Sequence, residues 1–246
     1  AYAFNTADEG GEAGNDSIVS GSGNDLGAGD AAEISYFGNA HAHVENDADG
    51  HGSDAGNDTI FTDGGHDTVS GGSLAKGKFD ALAKTENDAN WGGDAGNDKI
   101  VTDYYGGWGN DQAAGDAMAL AKWGDAKAIA DNTADDHGSD AGNDTIWAGN
   151  GHNVVAGDAM AVSEGGEHGD KAEAYTNNTA DDGAEAGNDE IITGAGEDIV
   201  SGGSQAIAEK EAKADTDNKA TGYNSEAGND YIDVDGGWWN KVAGDT

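Results

Sequence analysis

The chain has 246 residues, of which 49 are acidic against 11 lysines and no arginine, giving a formal net charge of −38, and it contains neither proline nor cysteine. With no basic patch to meet phosphates, nucleic acid is excluded as a partner, and without cysteine there is no disulfide framework. No stretch approaches the ~20 apolar residues of a membrane helix, and no basic segment followed by an apolar one marks a secretory signal.

Only 35% of the residues are apolar, many of them alanine, so a bulky globular core is excluded. Acidic, glycine-rich chains of this kind stay disordered unless something neutralises them, and here the cation must come from solvent.

The first recurring element is an acid-Ala-Gly-Asn-Asp-x-Ile block at Glu12 to Ile18, Asp54 to Ile60, Asp94 to Ile100, Asp140 to Ile146, Glu185 to Ile191 and Glu226 to Ile232. Its central glycines, Gly14, Gly56, Gly96, Gly142, Gly187 and Gly228, stand 42, 40, 46, 45 and 41 residues apart. A period of that size points to a solenoid. A second block echoes the first nine residues on, taking Asp16 to Asp25, Asp58 to Asp67, Asp144 to Asn153 and Asp189 to Asp198. The third copy is stretched to Asp111 by an insertion around "YYGGW", and the sixth to Asn240 within "DGGWWN".

A third element opens with "GDA" or "GGS" and alternates small and larger residues, as in "GDAMALAKW" from Gly115, which predicts a strand. The fourth, such as "AKAIADNTADD" over 126–136, is another strand that leads back to the next block. Each repeat thus reads as four short strands, and four strands in about 42 residues predict two coils of a flattened solenoid. Twelve coils at the ~4.8 Å strand spacing would make a rod of roughly 60 Å.

The expected fold is all-β, a parallel β-roll or β-solenoid running as one continuous unit over 1–246, with repeats beginning near 12, 54, 94, 140, 185 and 226. Its narrow interior is a ladder of Ile18, Ile60, Ile100, Ile146, Ile191 and Ile232 with Val and Ala opposite. Proline is absent because nearly every backbone N–H is needed for pairing.

The segments "GSGNDLGAGD" at 21–30 and "GAGEDIVSGG" at 194–203 follow Gly-x-Gly-x-Asp-x-(apolar)-x-x-Gly. Here the sequence resembles the RTX (repeats-in-toxin) calcium-binding family over about half its length. The resemblance implies calcium held between successive turns by glycine carbonyls and aspartate, an inward apolar residue, and secretion. The chain departs from that pattern where an acid replaces the second glycine in all six first blocks and where Asn153 and Asn240 stand in place of Asp.

The chemistry leads to the same cation independently. Calcium takes six to eight oxygen ligands, and a glycine turn exposes carbonyls while Asp adds charge. A lone Asp in such a turn normally bonds backbone N–H groups, but six in register repel one another unless metal lies between them. The expected metal ligands are Asp16, Asp58, Asp98, Asp144, Asp189 and Asp230 along one well-occupied edge, and Asp25, Asp67, Asp111 and Asp198 along a weaker opposite one. Third turns add Asp30, Asp116, Asp158 and Asp245, and two coils per repeat would stack Glu12 against Asp30 and Asp140 against Asp158.

Neighbouring His, Ser and Asp in "HGSD" cannot align as a catalytic triad, and no nucleophile elbow, metalloprotease helix or phosphate loop occurs, so no enzyme is expected. His41 and His43 share a strand face that could bind a transition metal, but with no second pair they read as solvated. Trp108, Trp238 and Trp239, beside Tyr104 and Tyr105, are candidate contacts for a surface glycan or protein.

The chain opens on "AYAFNTADEGG", which resembles the fourth element, so one molecule stacked on the next approximately rebuilds a repeat. The expected function is an extracellular or cell-surface structural protein that folds on meeting calcium and forms a homo-oligomeric, head-to-tail filament or surface layer. The alternatives are a calcium-rigidified adhesin, a glycan- or ice-binding module, or the export domain of a larger secreted protein.

Overall fold

The computed structural model describes residues 1–103, 107–164, 171–234 and 240–244. Among them no helix forms, and all the strands join five parallel sheets that run along the stack of repeats. A long sheet is built from Tyr2–Asp8, Ala40–Asp49, Ala81–Asn90, Ala126–Asp135, Lys171–Asp181 and Glu211–Thr221. A rim sheet of two-residue strands begins with Glu12–Ala13 and Asp54–Ala55. An isoleucine sheet follows from Ser17–Val19 and Thr59–Phe61, and a valine sheet from Leu26–Ala28 and Thr68–Ser70. A methionine sheet comprises Ala31–Ser35, Ser73–Gly77, Ala117–Ala121, Ala159–Ser163 and Gln205–Ile207.

The pairing register corrects the expected winding. Ile18 lies beside Ile60, Ile60 beside Ile100, Ile100 beside Ile146, Ile146 beside Ile191 and Ile191 beside Ile232. One repeat is therefore one coil, not two, and the six coils span about 25–30 Å at the ordinary strand spacing rather than 60 Å. The reason is that a whole-repeat offset sets identical residues against each other. Isoleucine then meets isoleucine in the isoleucine sheet, alanine meets alanine in the rim sheet, and Asn46, Asn87, Asn132, Asn178 and Asn218 meet in the long sheet. Among the described residues the first five coils have five strands each instead of four, because the acid-Ala dipeptide of the first block pairs as a strand of its own, and the sixth coil has four.

Alanine decides how closely the sheets approach. The inward residues at the start of the long sheet, such as Ala83, Ala128 and Ala174, pack on Ala75, Ala119 and Ala161 of the methionine sheet. Further along, Ala48, Ala89, Ala134 and Ala180 pack on the rim alanines. Larger side chains fill the wider end of the coil. Ile60, Ile100, Ile146 and Ile191 meet Val69, Ala113, Val155 and Val200, while Leu74, Met118 and Met160 meet Ala114 and Ala156. Among the described residues the isoleucine ladder is thus one of four apolar clusters, not the whole interior.

The long strands alternate buried and accessible residues as a half-buried sheet must. In the methionine sheet, Ala117–Ala121 is buried on both faces, so its alternation in size separates an alanine side from a Met/Leu side.

Candidate metal centre

The Asn-Asp pair of the first block works as two oppositely directed ladders. On the outer ladder, the N–H of Asn57 donates to Asn15 Oδ1 at 2.9 Å, and Asn97 to Asn57, Asn143 to Asn97, Asn188 to Asn143 and Asn229 to Asn188 follow at 2.7–2.8 Å. On the inner ladder the acceptor lies in the next coil. The N–H groups of Asp16, Asp58, Asp98, Asp144 and Asp189 donate to Oδ1 of Asp58, Asp98, Asp144, Asp189 and Asp230 at 2.6, 2.7, 2.7, 2.8 and 3.0 Å. Turn-capping is therefore what one carboxylate oxygen does.

The other oxygen is available. Oδ2 of Asp58, Asp98 and Asp144 is buried and accepts no hydrogen bond. Each lies against a glycine of the third turn, Gly29, Gly71 and Gly115, where a Cβ would come within 1.7–1.9 Å of Oδ2 and 2.1–2.2 Å of the Gly71, Gly115 and Gly157 carbonyls. Glycine is needed here because the carboxylate and a carbonyl of the next coil converge on its Cα.

The third-turn acids face this ladder from the other side. Asp116 is fully buried, accepting from Asn87 Nδ2 at 2.6 Å and from Asn132 Nδ2 at 3.0 Å, and Asn132 and Asn178 reach Asp158 at 2.8 and 3.4 Å. Asp30 accepts from Asn5 and Asn46 at 2.6 and 3.1 Å. These amides form a continuous ladder, Asn5, Asn46, Asn87, Asn132, Asn178 and Asn218, with links of 2.9–3.1 Å. They rest on the first-block glycines. Gly142 has φ +60°, and a Cβ there would stand 2.3 Å from the Asn132 amide.

Carboxyl oxygens of Asp98, Asp116 and Asp144 come within 4.8 Å of one another, all buried. Burial drives their proton affinities upward. Asp116 is pushed up to about 7 by burial, against the pull of the Asn132 and Asn87 amides. Asp58 is pushed up to about 8 by burial and then the Asp30 charge, and Asp30 up to about 6 by burial. Asp98 and Asp144 are raised well above the carboxylate range by burial, then by Asp58 for the first and Asp116 for the second.

The second block repeats the device one turn further round the coil. Asp25, Asp67 and Asp111 donate their N–H groups to Oδ1 of Asp67, Asp111 and Asn153 at 2.9, 2.9 and 3.0 Å, and Asn153 and Asp198 to Asp198 and Asn240 at 2.9 Å. The two asparagines keep the acceptor while removing the charge. Beside this ladder, Asp103 is buried, and burial followed by the charges of Asp111 and Asp67 pushes it up to about 6 against the pull of the Gly109 N–H.

Four segments, residues 11–31, 53–73, 139–159 and 184–206, match the family model of the RTX calcium-binding nonapeptide repeat. The chain carries calcium-binding RTX repeats. No curated protein and no solved structure matches it. The four RTX segments cover about a third of the chain, and each runs from the rim strand through both aspartate ladders to the third turn. RTX repeats bind calcium, so four copies bring several ions, and such repeats are typical of secreted proteins. No helix among the described residues is long and apolar enough to cross a membrane.

The donor set fits the cation. Two oxygens each about 2.4 Å from one calcium ion lie at most about 4.8 Å apart, and the carboxyl oxygens of Asp98, Asp116 and Asp144 all fall within that distance of one another. Carboxylate and carbonyl oxygens are hard ligands, and the buried Oδ2 atoms of Asp58, Asp98 and Asp144 accept no hydrogen bond.

Of the residues expected as ligands, Asp58, Asp98, Asp144 and Asp189 are buried in the inner ladder, with Asp16 and Asp230 more open at its ends. Asp67, Asp111 and Asp198 are equally buried in the second ladder, with Asp25 half-buried at its end, so the two ladders do not differ in enclosure. Asp30, Asp116 and Asp158 face the inner ladder, and Asp245 lies outside the described residues.

The stacks of Glu12 on Asp30 and Asp140 on Asp158 do not form. With one coil per repeat, Glu12 stands beside Asp54, Asp54 beside Asp94, Asp94 beside Asp140 and Asp140 beside Glu185 on the rim. Burial and the Asp140 and Asp54 charges push Asp94 up to about 6. Sequence reasoning missed the asparagine ladder and Asp103. The asparagines were visible as an Asn at the same position of every fourth element, whereas nothing in sequence marked Asp103.

Proposed function

We propose that the chain is a secreted structural protein whose stacked coils are hardened by calcium at the two aspartate ladders and lengthened by head-to-tail pairing into an extracellular filament or surface layer. In this reading Asp58, Asp98, Asp116 and Asp144 hold calcium inside the stack, and Asp67, Asp103 and Asp111 hold it beside the second ladder. The observation that carries the reading is the uniform one-repeat register. Every coil hands the next the same donors and acceptors, and a sheet edge that repeats its own pattern is self-complementary. The fold has a non-catalytic character, since the buried acids are enclosed among asparagines and glycines rather than opened to a substrate cleft.

Negative-stain electron microscopy with and without calcium tests this. Rods much longer than one stack of coils are expected in millimolar calcium and should vanish in EGTA. Single particles at every protein concentration in calcium would refute assembly while leaving the calcium ladders standing.

A second reading, a glycan-binding module, is supported by a groove of about 570 Å³ lined by Tyr36, Lys76, Lys78, Leu120, Lys122 and Trp123. Lys78 Nζ sits 4.8 Å from the Trp123 ring centre and 5.7 Å from that of Phe79. Exposed rings beside lysines, in a chain this acidic, suit the faces and carboxylates of an acidic sugar. Trp108 is exposed elsewhere, and Tyr104, Tyr105, Trp238 and Trp239 lie outside the described residues. Calorimetry with uronic-acid oligosaccharides should show binding that Trp123→Ala removes; equal binding by that variant would exclude the groove.

A further inference from the structure

We propose that His43, Glu45 and Glu86 form a transition-metal site, suited to zinc, on the outer face of the long sheet. The parallel register sets Glu86 beside Glu45 and Lys84 beside His43, so one histidine and two glutamates converge from two adjacent strands. His43 Nε2 lies 3.6 Å from Glu45 Oε1 and 3.8 Å from Glu86 Oε2, and the three ligand atoms fit within 4.8 Å. That nitrogen is buried without a hydrogen-bond partner, aimed at the two carboxylates. The imidazole is flanked by the rings of Tyr2 and Phe4, at 5.9 and 6.3 Å between centres.

These separations suit a small ion. Ligand atoms about 2.0–2.2 Å from zinc at tetrahedral angles lie about 3.4 Å apart, so the two His43–carboxylate pairs need close by only a few tenths of an ångström. A shallow acidic depression lined by Asp47, Asp88 and Asp131 adjoins the carboxylates and leaves a fourth position open to water. An imidazole nitrogen selects zinc or its neighbours over calcium, which prefers oxygen throughout. Lys84 is the opposing feature. Its Nζ bonds Glu86 Oε1 and lies 3.6 Å from Asp131 Oδ2, so it orients the carboxylate toward His43 while repelling the ion. The site faces away from the aspartate ladders, since Val44 and Asn46, which alternate with its ligands, point inward.

The test is zinc titration of the calcium-loaded chain by calorimetry, with cobalt(II) absorption as a second readout. Wild type should bind one zinc ion that His43→Ala loses and Glu86→Gln weakens by about tenfold or more, the least that disturbing a metal ligand's surroundings typically costs. Lys84→Gln should tighten it, and His41→Ala should leave it unchanged. Because these side chains lie on the outer face, unchanged circular dichroism in calcium confirms that each variant is folded. Zinc binding of His43→Ala equal to wild type, or displacement of all zinc by millimolar calcium, overturns the assignment.

Discussion

Protons should substitute for calcium. In chelator, the ladder acids can avoid mutual repulsion only by staying protonated, and burial has raised them accordingly, with Asp30 at about 6, Asp116 at about 7 and Asp58 at about 8. Each is raised above its unfolded value of 3.8. The folded chain therefore binds more protons than the unfolded one between these limits. The contribution is fully present below about pH 4 and is lost as pH climbs through about 6 to 8.

Ionising Asp116 alone, raised from 3.8 to about 7, costs about 4 kcal/mol at 1.36 kcal/mol per tenfold change in proton affinity. That is a large part of the 5–15 kcal/mol a domain typically holds. The assay is far-ultraviolet circular dichroism in EGTA across this pH range at high salt, where repulsion among surface charges is screened but the buried acids are not. A β spectrum is expected at acid pH that collapses toward pH 8 and is restored there by calcium. Asp116→Asn should shift the collapse to higher pH. A chelated chain whose β signal is flat or grows with pH would refute the reasoning.

Asp144 separates the roles of its two carboxylate oxygens. Asp144→Asn keeps the Oδ1 acceptor for the Asp98 N–H, as Asn153 does for Asp111, so denaturation at neutral pH should show a more stable chelated form and a smaller gain from calcium. Asp144→Ala removes that acceptor as well as the charge, and should be about 1–3 kcal/mol less stable than Asp144→Asn in either condition. Gly142→Ala should lower stability in calcium by more than the ~1–2 kcal/mol of left-handed strain, because its Cβ also strikes the Asn132 amide. Gly138→Ala, at φ +78° in open space, is the control. Thermal melts that place the two variants together would show that the asparagine ladder does not depend on that contact.

Much of this architecture is legible in the residues themselves. The 40–46-residue recurrence of Gly, Asp and Ile predicts a parallel β-solenoid, and the glycine-flanked acids predict cation binding. The RTX match falls on the segments that carry both features. The "GGS" turns show a finer correspondence. Where Gly72-Ser73 and Gly203-Ser204 replace Asp-Ala, Ser73 pairs with Thr85, and Ser204 with Thr176 and Thr216.

Local sequence determined the β character, the repeat boundaries and the acids at each turn, because glycine conformation, alternation and charge are properties of a few adjacent residues. The number of coils per repeat was decided only in three dimensions. A nine-residue echo suits two turns of one coil as well as two coils, and the choice depends on which stacking satisfies all five sheets together. Alanine facing alanine lets the long and methionine sheets lie close enough for one flat coil to enclose a whole repeat. That closure brings Asp116 onto Asp98 and Asp144 from neighbouring turns, and it gathers His43, Glu45 and Glu86 on the opposite face of the long sheet. Both groupings include residues a whole repeat apart in the chain, Asp98 with Asp144 and Glu45 with Glu86, where distance is set by packing and register rather than by spacing.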